Sequence, residues 1–275
     1  MPIERVDRID DGRLADYRHV PDPDLLRRGE IFIAEGRLVV RELLTRSRFR
    51  ARSILLTEAA YRSLVDVLEP RLTDTHVFIV PAAAIEGLTG FNIHRGCLAI
   101  GERLGRSSVV QMLARLPRAR RLVALEQIGN ADNMGGIFRN AAAFAVDAVV
   151  VGPGCCDPLY RKAIRVSVGT ALRVPFCHAD DWQADLQALK TAGFTLVALT
   201  PAVEAQDLGA YVSSIMPAAR VAVLAGSEGD GLIPETLARA DVALRIPMAP
   251  ATDSINVATA VGIALHGLFA AGLEP

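Results

Sequence analysis

Three short stretches hold most of the residues able to do chemistry, and each breaks an apolar background. In "EQIGNADNMGGIFRNAAAF", Asn133, Gly135 and Gly136 fall where a glycine loop turns into a helix, and Arg139 follows close to one turn further in. Free backbone N–H groups at a helix start suit an anion, and an arginine held on the same rigid element suits a phosphate or a developing negative charge. "LAGSEGDGL" sets Glu228 and Asp230 among Gly226, Gly229 and Gly231, which let backbone approach a ligand or simply turn tightly. In "IPMAPATDSINVATA", Ser254 stands where it can cap the apolar helix that follows, with Asn256 in the first turn. Taken singly, each stretch has a plain structural explanation: a surface arginine paired with Asp132 or Asp147, a solvated acidic turn, a capped helix.

The elements that must position these residues are legible around them. "RLVALEQ" (121–127), "DAVVVGP" (147–153), "RVPFCHA" (173–179), "TLVALTP" (195–201), "RVAVLAG" (220–226) and "DVALRIPM" (241–248) are near-continuous apolar runs separated by helical stretches. That is the pattern of a parallel sheet covered on both faces, where ligands collect beyond the carboxyl ends of the strands. "IGNADNMGG", "TPAVE", "GSEGDG" and "APATDS" each come directly after such a strand. The first half predicts a smaller α/β domain over residues 1–105, with strands at "EIFIAEG" (30–36), "SILLTE" (53–58), "HVFIVP" (76–81) and "GCLAIGER" (96–103). Residues 106–119, basic and polar at both ends, are expected to link it to a second domain over 120–275.

Composition removes several function classes. With 51% hydrophobic and 22% charged residues over 275 positions, the chain has ample material for a folded core. A net charge of −1 gives no overall attraction to polyanions, although Lys162 and Lys190 are the only lysines among 30 basic residues. Cys97, Cys155, Cys156 and Cys177 form no CxxC pair and have no histidine at ligand spacing, so neither a metal nor a disulfide framework is expected. No G-x-G-x-x-G follows a strand and no P-loop lysine occurs, against dinucleotide and P-loop nucleotide chemistry. The first residues are too charged for a signal peptide, and Asn256, Thr259 and His266 interrupt the apolar run 255–271, so a cytoplasmic protein without a membrane span is expected.

Together, N-x-G-G-x-x-R, G-S-E-G-x-G-L and I-P-M-x-x-x-x-D-S-I-N-V-A, in that order and each after a strand, make the chain resemble the SpoU/TrmH family. These are RNA ribose 2′-O-methyltransferases of the SPOUT superfamily. The resemblance covers about residues 120–271, and "DPLYRKAIRVSVGTALRVPF" (157–176) is similar to the segment such proteins carry between the first two motifs. The N-terminal half is more loosely similar to the small ribosomal-protein-like RNA-binding domain of many members. The resemblance implies an α/β fold whose C-terminal parallel sheet holds a deep trefoil knot. It also implies S-adenosylmethionine cradled by Thr200, Gly226, Ile246, Met248 and Ile255, and a homodimer through the C-terminal domain. Arg139 then carries the key role, with Asn133, Glu228, Ser254 and Asn256 around it. A guanidinium is effectively always protonated and makes an awkward base. Either Glu228 and a substrate phosphate help Arg139 pass the proton, or Arg139 only orients the RNA.

For RNA contacts, "RLVVRELLTRSRFRAR" (37–52) carries Arg37, Arg41, Arg46, Arg48, Arg50 and Arg52 against the single acid Glu42, and "GFNIHRG" (90–96) adds Phe91, His94 and Arg95. A solvated basic face explains the first cluster as well. The substrate expected is structured RNA, rRNA ahead of tRNA. The alternative class is an RNA-binding or ribosome-associated factor that keeps the fold without turnover.

Overall fold

The computed structural model describes residues 3–8, 10–18, 31–71, 73–89, 96–214 and 219–270. The chain forms two compact units, Met1–Gly105 with Leu159–Arg173, and Arg106–Pro158 with Val174–Pro275. The stretch 159–173, inside the range expected for the second domain, thus groups with the first unit.

The first unit is built on a mixed sheet with strand order β1-β4-β3-β5-β2, where β1 is Ile3–Arg5, β2 Ile31–Glu35, β3 Arg50–Leu56, β4 His76–Ile79 and β5 Cys97–Glu102. β1 and β3 run parallel to β4, while β5 is antiparallel to β3 and β2. The three-residue β1 has no sequence signal, because "IER" is too short and too charged to show a period. Helices Arg37–Thr45 and Glu58–Leu68 bury Val40, Leu43, Leu44 and Ala60, Leu64, Leu68. The returning segment brings Arg161 and Arg165 to the buried Glu35, each 3.7 Å from its Oε2, and the Leu172 carbonyl accepts the Arg48 N–H.

The second unit carries a seven-stranded sheet in the order β10-β12-β9-β11-β6-β7-β8. Here β6 is Arg121–Leu125, β7 Ala148–Val151, β8 Phe176–His178, β9 Thr195–Leu199, β10 Gln206–Asp207, β11 Val221–Ala225 and β12 Val242–Arg245. Every pairing is parallel. Leu122, Ala124 and Leu224 enter one core cluster with Trp182, Leu186 and Leu189. Their chain neighbours Val123, Leu125 and Val223 are equally buried and point to the other face, which is why these strands read as unbroken apolar runs. Residues 106–119, expected as a connection, contain the helix Val109–Arg115. Ser108 and Gln111 close a capping box at its start, and Val109 and Met112 are buried in the same core. Apolar residues at 109, 112, 113 and 116 supply the helical stripe beneath the arginines that dominate the stretch.

The last helix, Val257–Phe269, packs on helix Ala131–Ala143 and on β11. Asn140 Nδ2 donates to the Ala258 carbonyl at 2.7 Å, locking the two helices together. No described helix is long and apolar enough to cross a membrane.

Candidate active site

Beyond the carboxyl ends of β9, β11 and β12, the chain forms an open cavity of about 300 Å³. Thr200, Gly226, Ile246, Met248 and Ile255 all line it, together with Glu228, Ser254 and Asn256. Leu199 and Leu244, which sequence reading passed over, complete its apolar wall. The turn after β11 is tight. Ser227 and Gly231 exchange backbone hydrogen bonds at 3.1 and 3.2 Å, and Gly229 and Gly231 hold φ of 97° and 71°, where glycine is the favoured residue. A Cβ on Gly226 would fall 2.1 Å from the Gly231 carbonyl, so the close approach requires glycine. The turn carries Glu228, exposed, at its outer end.

Asn256 joins the three motifs. Its Oδ1 caps the last helix, accepting from the N–H groups of Ala258 at 3.0 Å and Thr259 at 3.2 Å. Its Nδ2 donates to Asn133 Oδ1 at 2.8 Å and to Glu228 Oε1 at 2.7 Å. Asn133 is buried in the first turn of helix Ala131–Ala143, itself capped by Asn130, whose Oδ1 accepts from Asp132 N–H at 2.8 Å. The capping expectation is therefore corrected. The cap is Asn256 and not Ser254, because the helix begins at Val257 and Ser254 stands two residues before the cap, exposed on the cavity rim. Asparagine ranks with serine as a cap, so spacing alone does not separate them.

Arg139 does not line this cavity. It is exposed on a second, shallower depression between the two packed helices, beside Asn140, Phe144, Thr259, Ile263 and His266. No hydrogen bond or ion pair ties its side chain to another described residue. Asp147 accepts instead from the backbone N–H groups of Arg120 and Arg121, at 2.7 and 2.9 Å. Cys155 and Cys156 lie in the loop after β7; burial pushes their thiols up to about 11 and about 12, far from a thiolate nucleophile at neutral pH.

In the first unit the arginine row is less free than its sequence. Arg41 grips Asp66 with two bonds of 2.6 and 2.9 Å, and this pairing lowers the carboxyl's pKa. Arg52 meets Asp16 at 3.2 Å and Arg46 faces Glu42 at 3.9 Å. Asp16 and Asp66 reach the cluster only through folding, so a window with Glu42 as its single acid misses them. Arg48 and Arg50 line a depression together with Arg71, which sequence reading did not single out. The Arg48 guanidinium lies 4.8 Å from the centre of the Phe49 ring. Arg95, Phe91 and His94 lie outside the described residues.

Residues 120–266 match the family model described as the SpoU rRNA Methylase family. An uncharacterized tRNA/rRNA methyltransferase of Mycobacterium tuberculosis is 41% identical over 270 residues, covering 97% of this chain and 91% of its own. A 23S rRNA (guanosine-2′-O-)-methyltransferase of Acinetobacter baylyi is 31% identical over 187 residues, 66% of this chain and 73% of its own. Among solved structures, the AdoMet-bound rRNA methyltransferase from Sinorhizobium meliloti aligns with a TM-score of 0.80 over 99% of both chains at 22% identity, a likeness of fold.

Proposed function

The chain belongs to the SpoU rRNA methylase family, and from that premise we propose that it uses S-adenosylmethionine to methylate a ribose 2′-hydroxyl of structured RNA, rRNA in the first instance. The observation that carries this reading is the Asn133–Asn256–Glu228 group at the mouth of an apolar cavity. A cavity of about 300 Å³ walled by Leu199, Leu244, Ile246, Met248 and Ile255 has the size and greasiness that a bound adenosine asks for. The Acinetobacter baylyi relative is named for guanosine-2′-O methylation, and the Sinorhizobium meliloti protein of the same fold binds AdoMet, both in support.

Thr200, Gly226, Ile246, Met248 and Ile255 would hold the methyl donor. Bound there, it supplies an electrophilic methyl on a sulfonium, which leaves as the neutral thioether. Glu228 is the acidic side chain of the cavity and can take the hydroxyl proton, its Oε1 oriented by Asn256. Arg139, always charged, has the larger role of holding the RNA phosphate and polarising the hydroxyl. Its position outside the cavity, on an exposed helix face with Ile263 41% exposed, supports a homodimer in which this face meets a second copy and Arg139 serves the partner's cavity. Membership of the family supports a trefoil knot in this sheet, in which β11 lies between β6 and β9 and β12 between β9 and β10.

Arg48, Arg50 and Arg71 in the first unit suit phosphate contacts, in keeping with an N-terminal RNA-binding domain over residues 1–105 and a cytoplasmic enzyme. The test is Arg139→Ala. Since Arg139 does not line the cavity, the variant is expected to bind S-adenosylhomocysteine as the wild type does while methyl transfer falls about 100-fold or more. Transfer at the wild-type rate overturns the role given to Arg139.

A further inference from the structure

One further carboxylate lies at the same end of the sheet, and none of the roles above uses it. Glu126 directly follows β6 and is fully buried, as is Thr236. Its Oε2 accepts the backbone N–H of Ile233 at 3.0 Å, and its Oε1 accepts the hydroxyl of Thr236 at 2.9 Å. Thr236 Oγ1 in turn accepts the indole N–H of Trp182 at 2.8 Å. The backbone N–H of Glu126 donates to the Ala225 carbonyl at 3.0 Å. Ala225 and Ile233 are the two feet of the glycine turn that carries Glu228 and closes one side of the cavity. A single residue therefore holds both feet, one with its main chain and one with its side chain.

The donors in this network all run toward the carboxylate. Indole gives to hydroxyl and hydroxyl gives to Oε1, while the Ile233 amide gives to Oε2. Only an acceptor at both ends satisfies them, which an ionised carboxylate is and a carboxamide is not. Burying such a group is unfavourable unless it is fully hydrogen-bonded. Packing alone would be served by an apolar side chain.

We infer that Glu126, held in place by Thr236, is a positioning residue that sets the Glu228 turn for cofactor binding and transfer, an assignment that rests on the methyltransferase reading above. Thr236→Val keeps the shape and removes the hydroxyl, leaving Glu126 Oε1 without its donor and the Trp182 N–H without its acceptor. Thr236→Ser keeps the hydroxyl. Calorimetry with S-adenosylhomocysteine and steady-state methylation of rRNA read the effect.

Thr236→Val is expected to weaken binding about tenfold or more and to lower kcat by a similar factor, with KM for RNA unchanged. Thr236→Ser recovers most of that loss. A folded Thr236→Val with wild-type affinity and kcat overturns the inference, and so does a Thr236→Ser as impaired as the valine variant. If the valine variant does not fold, Glu126→Gln decides. It retains the shape, leaves one donor unmatched, and is expected to weaken binding about 3- to 10-fold; wild-type values for it overturn the assignment. A wild-type chain that binds no S-adenosylhomocysteine overturns the methyltransferase reading itself, and this inference with it.

Discussion

Asn256 does two jobs with two atoms, and substitution can separate them. In Asn256→Asp the cap survives: a carboxylate oxygen still accepts from Ala258 and Thr259, and a negative charge at a helix N-terminus is favourable by about 0.3–1 kcal/mol. The bridge does not survive. Where Nδ2 stood 2.8 Å from Asn133 Oδ1 and 2.7 Å from Glu228 Oε1, an oxygen now faces two acceptors. The loss is about 1 kcal/mol for the bond to the amide oxygen and about 1.5 kcal/mol for the bond to the carboxylate. The lower end of the range applies because Asn256 and Glu228 are exposed. Expressed fully in the transition state, about 2.5 kcal/mol slows transfer about 70-fold. Asn256→Ala loses the cap as well, about 1 kcal/mol, which for a domain of this size lowers Tm by roughly 2–4 °C. Calorimetric melting and initial rates with methyl-labelled S-adenosylmethionine and rRNA measure the two effects. The expected pattern is about 70-fold lower activity for both variants, which lack the bridge alike, with the alanine variant melting roughly 2–4 °C below the aspartate variant because it alone lacks the cap. An aspartate variant within threefold of wild-type activity, or one that melts as low as alanine, refutes the division of labour.

Gly226→Ala forces a methyl group to within 2.1 Å of the Gly231 carbonyl. Overpacking of about 1–3 kcal/mol should weaken S-adenosylhomocysteine binding roughly 5- to 150-fold by calorimetry, and unchanged affinity contradicts the tight turn. Arg71→Ala should lower RNA affinity and reduce the slope of log affinity against log salt by about 0.7–0.9. Arg41→Ala, whose guanidinium already grips Asp66, should leave that slope unchanged; an equal loss in both variants contradicts the contrast drawn between them. The Cys155 thiol, pushed up from 9.0 to about 11, holds about 100-fold less thiolate at pH 8 than an unperturbed thiol. Iodoacetamide should label it correspondingly slowly in the folded protein, with a rate that climbs as pH approaches 11. Fast labelling at pH 8 rules that burial out.

The seven-stranded sheet was largely readable because burial on both faces removes polar residues from its strands. The exceptions are physical: β10 is two residues at a sheet edge and carries no pattern. The polar loops were readable for the opposite reason, as interruptions of apolar sequence. Their convergence was not, since Asn133 and Asn256 are 123 positions apart and meet only through strand order and the packing of two helices. Arg139 stood out as a motif residue, yet six residues beyond Asn133 on a helix is about 240° around its axis, which turns it away from the cavity. Asn256 and Ser254 are two positions apart and cap equally well, so the sequence does not separate them. Glu126 gave no signal at all, because an acid at a strand end is ordinary until the far foot of a distant turn is brought against it.

Nucleoside mass spectrometry tests methyl transfer to ribose most directly. The protein is incubated with methyl-labelled S-adenosylmethionine and, in separate arms, bulk rRNA and bulk tRNA. The expected result is a single labelled 2′-O-methylnucleoside arising in the rRNA arm. No labelled nucleoside in either arm, or label confined to a base, contradicts ribose 2′-O-methylation by this protein.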